Sequence, residues 1–309
     1  MSQLRRGYLF AFLAYSCWGF FPLYWKLLEP AGPIEILANR IVWSAVFVAL
    51  VVSATRNWRF LRPLLRRPRT LAGIVTAAVV IAVNWGLYIY GVNSGHVVET
   101  ALGYFINPLV TVLLGVGVLR ERLRPAQWAA IGVGAIAVAI LAVDYGRLPW
   151  IALTLAVSFG AYGLVKKSLA LPAAEGLFVE SAALAGPALA YLAWLAARGR
   201  MTFGQVSPVT TVLLVLAGVV TAIPLLLFAG AANRIPLSAL GVLQYLTPTL
   251  QLGCGVLIYH EPMPPGRLAG FAVVWLALII FTTDTIRHGR RSARAAAVPP
   301  GRSDVVVYQ

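Results

Sequence analysis

The sequence predicts an all-α membrane protein, ten transmembrane helices in two inverted five-helix repeats, and three observations carry that prediction. First, 60% of the 309 residues are apolar and only 11% are charged, less than half the charge of a typical soluble domain, so most side chains must face lipid or one another. Second, apolar blocks of about 20 residues, the length of one bilayer crossing, recur along the chain. Third, the chain matches itself at an offset close to 140 residues, the mark of an internal repeat.

The blocks fall at about residues 7–27, 34–54, 71–91, 98–119, 128–144, 149–167, 176–196, 209–231, 237–259 and 268–286. The first follows Arg5 and Arg6 as a signal peptide would, but it is long, lacks an A-x-A site and is followed by more of its kind, so it reads as a retained span. All ten read as helices, because lipid offers no partner to exposed backbone groups and the short alternating strands of a closed barrel are absent from the pattern. Residues 55–70 alternate Trp58, Phe60, Leu61, Leu64 and Leu65 with arginines, which suits either an anionic leaflet surface or a solvated basic loop. Residues 1–6 form a short cytoplasmic N-terminus. After Arg287 the basic, Ala- and Pro-rich residues 287–309 read as a disordered cytoplasmic tail.

The net charge of +15 would suggest nucleic-acid binding in a soluble chain, but the placement of the charge argues for a membrane instead. Of the 25 Lys and Arg, 19 lie at the termini and on the loops sharing their side, five lie on the opposite loops, and Arg40 lies inside the second block. An even number of spans and the positive-inside rule then make both termini cytoplasmic. The loop holding Arg198 and Arg200 runs against the trend.

In the repeat, Pro108 aligns with Pro248, Gly115 with Gly255, Glu121 with Glu261 and Pro125 with Pro265 at an offset of 140; Ala101, Leu102 and Gly103 align with Ala239, Leu240 and Gly241 at 138. Spans one and six align at 142 through Ala14 and Ala156, Ser16 and Ser158, and Phe20 and Tyr162. The halves are 7–144 and 149–286. Five spans is an odd number, so the second half enters the membrane from the other side, and two antiparallel copies around a central site can expose it to each side in turn.

Several strings resemble the RarD family, in the EamA branch of the drug/metabolite transporter superfamily: AYSCWGFFPLYWKLL (Ala14 to Leu28), EILANRIVWS (Glu35 to Ser44), NWGLYIYGVN (Asn84 to Asn93), ETALGYFINPLV (Glu99 to Val110) and LGVLQYLTPTL (Leu240 to Leu250). The resemblance spans roughly residues 4–288 and implies the EamA / drug-metabolite transporter fold, a multi-pass permease of the bacterial inner (plasma) membrane, and a family association with chloramphenicol sensitivity. Related branches mostly export metabolites. His96, after Ser94 and Gly95, departs from the family's pattern in a loop.

Ionisable residues inside a span cost at least ~2.5 kcal/mol each on insertion scales and so usually find partners or face a wet cavity. Arg40 and Glu180 lie at similar depths from opposite faces and are repeat counterparts at an offset of 140, too far apart to pair. Arg40 is expected to meet Glu99 or Glu35, and Glu180 to meet Lys166 or Lys167. Arg40, Glu99 and Glu180 are the candidates for gating or proton coupling; the structural alternative is permanent ion pairs or side chains snorkelling to headgroups.

The candidate substrate cavity comprises Trp18, Asn84, Trp85, Tyr88, Tyr104, Asn107, Tyr162, Gln244 and Tyr245, aromatics to stack on a planar solute and amides to orient it. Pro108 and Pro248 each free a carbonyl one turn earlier, a repeated helix break that points to a midplane site; a packing kink is the structural alternative. Trp58 and Trp150, at span ends, read as interfacial anchors. The pairs Gly91 with Gly95 and Gly266 with Gly270 lie at or beyond span ends, so homodimer formation gets no support from them.

No nucleophile, carboxylate pair or metal site stands at membrane depth, and His260 with Glu261 lacks the second histidine of a zinc motif. Cys17 and Cys254 read as packing residues. The sequence carries no GxxxxGK[ST] loop, so a carrier driven by a gradient is expected rather than an enzyme or ATPase, with small-molecule substrate and membrane lipid as partners and no cofactor, metal or nucleic acid. A membrane receptor or scaffold without flux is the competing class.

Overall fold

A backbone in hydrocarbon must satisfy its own N–H and C=O groups, and the computed structural model of this chain is helical wherever the apolar blocks fall. It describes residues 3–56, 58–120, 123–169, 173–232, 234–235 and 237–296. Among these lie thirteen α-helices: α1 (Gln3–Gly19), α2 (Phe21–Lys26), α3 (Pro33–Ala54), α4 (Leu61–Leu65), α5 (Pro68–Asn93), α6 (Val97–Leu119), α7 (Pro125–Tyr145), α8 (Trp150–Leu169), α9 (Ala173–Ala197), α10 (Pro208–Ala232), α11 (Leu237–Leu243), α12 (Leu246–Gly253) and α13 (Pro265–Ala296). No strand occurs among the described residues.

Seven of these helices are long and apolar enough to cross a membrane: α3, α5, α6, α7, α9, α10 and α13. The other three predicted spans are α8, a single helix of 20 residues, and two that are divided. The sixth is α8, apolar over Trp150–Lys166. The first is divided at Phe20 into α1 and α2, because Pro22 has no N–H and its ring crowds the carbonyl of Trp18. The ninth is divided at Gln244–Tyr245 into α11 and α12, and α12 runs on into a π-helical turn over Cys254–Ile258. At the C-terminus, α13 continues to Ala296, so residues 287–296, expected to be disordered, are helical: alanine and arginine favour helix continuation. Residues 297–309 lie outside the described residues.

Helices start where the sequence supplies proline at the first turn: Pro33, Pro68 and Pro125 all occupy that position, where the missing N–H costs nothing. The interior is assembled from α3 packed on α9, α7 on α13, α6 on α8, α5 on α8 and α10 on α1 and α3. One apolar core joins Leu102, Phe105 and Leu109 of α6 to Leu141 of α7 and Phe271 and Val274 of α13. A second gathers Phe21 and Trp25 of α2, Ile36 of α3, Tyr88 and Ile89 of α5, and Leu214 of α10. Large apolar side chains such as Leu50, Val118, Val143 and Leu257 are exposed on the periphery, a surface suited to lipid and a liability in water.

The 55–70 segment folds back on the bundle: Leu64 is buried against Ile74 and Val179, and Trp58 meets Phe178 edge-on at 5.1 Å between ring centroids. Three of the four glycines weighed as dimer signals are used inside the chain, while Gly95 faces open space. Gly91 faces Thr100, Gly266 faces Asp144, and Gly270 faces Leu141.

Candidate functional site

The site is built around Arg40, seven residues into α3. Gly32 and Pro33 start that helix, and Glu35 in its first turn complements the helix dipole. The Glu35 carboxylate turns to the loop before α10, accepting from the Thr202 and Phe203 amides at 2.8 and 3.1 Å. Arg40, one and a half turns deeper, is only 3% exposed. Its guanidinium carbon lies 3.9 Å from the Trp85 ring centroid, 5.0 Å from Trp25 and 5.9 Å from Phe21, and Tyr88 shares the buried cluster of Trp25 and Phe21, with Tyr24 and Tyr104 packed against it.

Short α2 brings Phe21 and Trp25 here, and the break before it is held from α12. Gln251 Nε2 donates at 3.1 Å to Trp18 O, the carbonyl that Pro22 deprives of a partner, and Thr247 Oγ1 donates at 2.9 Å to Tyr15 O. Tyr259 Oη donates to Pro22 O at 3.2 Å, and the Tyr24 hydroxyl donates to Leu213 O. From the other side, Tyr88 and Tyr104 pack edge-to-face at 5.6 Å. Tyr104 Oη donates to Asn84 Oδ1 at 3.4 Å, while Asn84 Nδ2 donates to Leu155 O and Ser158 Oγ, both at 2.9 Å. Asn84 therefore fastens α5 to α8 and orients Tyr104, with no donor left over.

Arg40 Nε and Nη1 have no hydrogen-bond partner, nor do Trp25 Nε1, Tyr88 Oη and Ser44 Oγ around it. This corrects the expected pairing of Arg40 with Glu99 or Glu35, since both carboxylates are committed at the helix ends. Glu99, 1% exposed, accepts from Arg147 Nη2 at 2.7 Å and Nη1 at 3.4 Å, and from the Ile151 amide at 3.1 Å. At the same end Glu261 accepts from the Val97 and Val98 amides at 2.6 and 2.8 Å, and Arg267 pairs with Asp144 at 3.0 Å.

Near the opposite end Glu180 meets Lys166, as expected, at 2.7 Å and accepts from Tyr162 Oη at 3.1 Å. Lys167, the alternative partner, lies outside the described side chains, and so does Glu121. Arg124 pairs with Asp284 at this end. Each end of the bundle thus carries a buried carboxylate held by a cation, Arg147 from the α7–α8 connection at one end and Lys166 of α8 at the other.

Of the predicted cavity residues, Trp85, Tyr88 and Tyr104 converge on Arg40, with Asn84 behind them. Trp18 borders the buried cluster of Phe21, Trp25 and Tyr88, and the remaining four lie elsewhere. Trp18 packs against Tyr15 and Phe228 at 5.7 and 5.8 Å; Asn107 accepts from Thr111 at 3.3 Å within α6; Tyr162 serves Glu180; Tyr245 packs against the α7–α13 core and accepts from Thr282 at 3.5 Å; Gln244 sits at the α11–α12 break. The expected break at Pro108 is absent, since α6 continues through it, whereas Pro248 lies in the first turn of α12, just past the break in span nine. Sequence reasoning missed Phe21, Tyr24 and Trp25. The signal was the proline within FFPLYWK, which sets these rings on a separate short helix.

Two hollows border this region. A groove of about 460 Å³ between α5 and α8 is walled by Val79, Val83, Leu153 and Val157 and lies on the lipid-facing side. A void of about 10 Å³ between α3, α5 and α9 is lined by Trp85, Glu180 and Ser181, room for about one water.

Residues 5–143 match the family model described as the EamA-like transporter family. The chain is 54% identical to Protein RarD of Streptomyces exfoliatus over 97% of its own length and 95% of that protein, and 40% identical to Protein RarD of Escherichia coli K12 over 95% and 99%. It is 31% identical to the chloramphenicol-sensitive protein RarD of Pseudomonas aeruginosa over 88% and 92%. A solved crystal structure with 20% identity superposes with a TM-score of 0.55, covering 91% of this chain and 98% of the other, a likeness of fold alone.

Proposed function

The chain belongs to the RarD family of EamA-type membrane transporters, and from that premise we propose that it is a secondary carrier moving a small organic solute by alternating access. Ten crossings in two inverted units, 7–144 and 149–286, account for its helices if α1 with α2 make the first crossing, α8 the sixth, and α11, α12 and the π turn the ninth. The packing supports this reading, since it is symmetric under exchange of the halves: α5 on α8 mirrors α10 on α1, and α3 on α10 mirrors α5 on α9. Arg120 and His260, 140 residues apart, also share the left-handed conformation, with φ of 55° and 52°.

In this reading Glu99 with Arg147 and Glu180 with Lys166 are the two gates, one at each end, that open in alternation. Both termini face the cytoplasm of a bacterial inner membrane, as the 19-to-five distribution of Lys and Arg supports, and the direction is export. The observation that carries the reading is the aromatic chamber around an unsatisfied buried Arg40, between two paired ends, in a chain of this family.

Proteoliposome flux of amino acids, aromatic metabolites and amphenicols, with and without an imposed pH gradient, tests it. Saturable flux is expected, and flux that collapses with the gradient assigns proton coupling. Folded protein that moves none of these compounds sinks the carrier reading in favour of a receptor or scaffold.

A further inference from the structure

The geometry points to a small organic monoanion as the solute, a carboxylate on a flat apolar body, with its charged oxygens on Arg40 and its body against the aromatic side chains around that guanidinium. The inference rests on the carrier reading for transport, but the binding site stands on its own observations.

Arg40 is 3% exposed, and its Nε and Nη1 have no acceptor among the described residues. Stacking on Trp85 at 3.9 Å offsets part of the cost of burying the charge, but a ring face does not satisfy the in-plane N–H groups of a guanidinium. The unpartnered groups nearby are Trp25 Nε1, which can only donate, and the Tyr88 and Ser44 hydroxyls, which can accept but each bring a hydrogen of their own. Donors outnumber acceptors in this set, and none of its acceptors is charged.

No described carboxylate forms an ion pair with Arg40: Glu35 accepts backbone amides through one oxygen, Glu99 is paired with Arg147 and Glu180 with Lys166. A carboxylate corrects both deficits, since its paired oxygens match the planar guanidinium fork. A neutral amide corrects neither charge nor geometry, and a zwitterion brings an ammonium for which no uncommitted carboxylate stands near Arg40. The surrounding rings select a planar apolar body.

The experiment uses the purified full chain in nanodiscs and five carboxylates, acetate, benzoate, phenylacetate, cinnamate and indole-3-acetate, each beside its uncharged amide, with phenylalanine as the zwitterion. Binding is read as tryptophan fluorescence change and as a shift of melting temperature, and flux is read in proteoliposomes.

At least one aromatic carboxylate is expected to bind tenfold or more tightly than its amide and to raise the melting temperature. Arg40→Met is expected to lose that preference while melting at or above the ligand-free wild type, because it removes an uncompensated buried charge. Arg40→Lys, which keeps the charge without the fork, should fall between. Absence of carboxylate preference across all five pairs overturns the inference. So does its survival in Arg40→Met, phenylalanine binding as tightly as phenylacetate, or an Arg40→Met that melts well below wild type, which would make the cation a structural one. Carboxylate binding without any flux sinks the carrier reading and leaves the site. Carboxylate flux unchanged in Arg40→Met sinks the anion site and leaves the carrier.

Discussion

Arg40 and Glu180 each stand seven residues after the start of a helix, α3 and α9, and the two helices pack against each other. Both side chains are almost fully buried, 3% and 4% exposed. Glu180 nevertheless has a lysine at 2.7 Å and a tyrosine hydroxyl at 3.1 Å, whereas Arg40 has aromatic faces and no acceptor for its Nε and Nη1. Equal depth and opposite satisfaction teach that burial by itself does not mark a functional charge. A buried charge with all its partners is explained by the fold; one without them asks for something the chain does not contain.

The largest expected effect breaks the satisfied member. Lys166→Met leaves the Glu180 carboxylate buried with only Tyr162 and should cost about 3 kcal/mol, read as a lower melting temperature in detergent. The double variant Lys166→Met with Glu180→Met should recover most of that loss. A single variant as stable as wild type would show that Glu180 does not depend on the pair, and the contrast with Arg40 would fail.

Next comes Gly218→Ala on α10. A Cβ there would collide with the carbonyl group of Trp43 and stand 2.6 Å from the amide nitrogen of Ser44, so the α3 backbone itself must move and carry Arg40 with it. A loss of about 2 kcal/mol is expected, together with weaker carboxylate binding. Normal binding by a destabilised variant would separate α3 placement from the site.

A smaller effect sharpens the chamber wall. Asn84→Leu removes the donor to Leu155 O and Ser158 Oγ and the acceptor for Tyr104, and should cost about 1.5 kcal/mol with a change in tyrosine fluorescence as Tyr104 reorients. The smallest effect has the opposite sign: Arg40→Met should gain about 1 kcal/mol without ligand, seen as a slightly raised melting temperature.

Much of the fold was legible because hydrocarbon imposes one rule on every segment. Apolar blocks of the right length become helices, and seven of the ten appear as long ones. The segmented spans were less legible, because a proline marks a freed carbonyl without saying whether a neighbour will satisfy it. Pro22 divides its span and Pro108 does not, and the difference includes a side chain 229 positions away, Gln251, which takes up the Trp18 carbonyl. For the site, the NWGLY string led to Trp85 and Tyr88 through helical spacing, and Arg40 stood out as an intramembrane cation. Trp25 did not, because its role depends on a turn of the chain at Phe20 rather than on its distance in sequence from Arg40.

Composition and periodicity were enough to establish a helical, multi-pass membrane protein and to locate its buried charges, because the cost of exposing polar groups to lipid acts residue by residue. Which charges pair could be read only from packing. Glu99 reached Arg147 and the α8 N-terminus, Glu35 reached the 202–203 amides, and Arg40 was left with Trp85. Hydrogen bonds and ion pairs act over about 3 Å, and which groups come that close is set by how separate helices pack against one another.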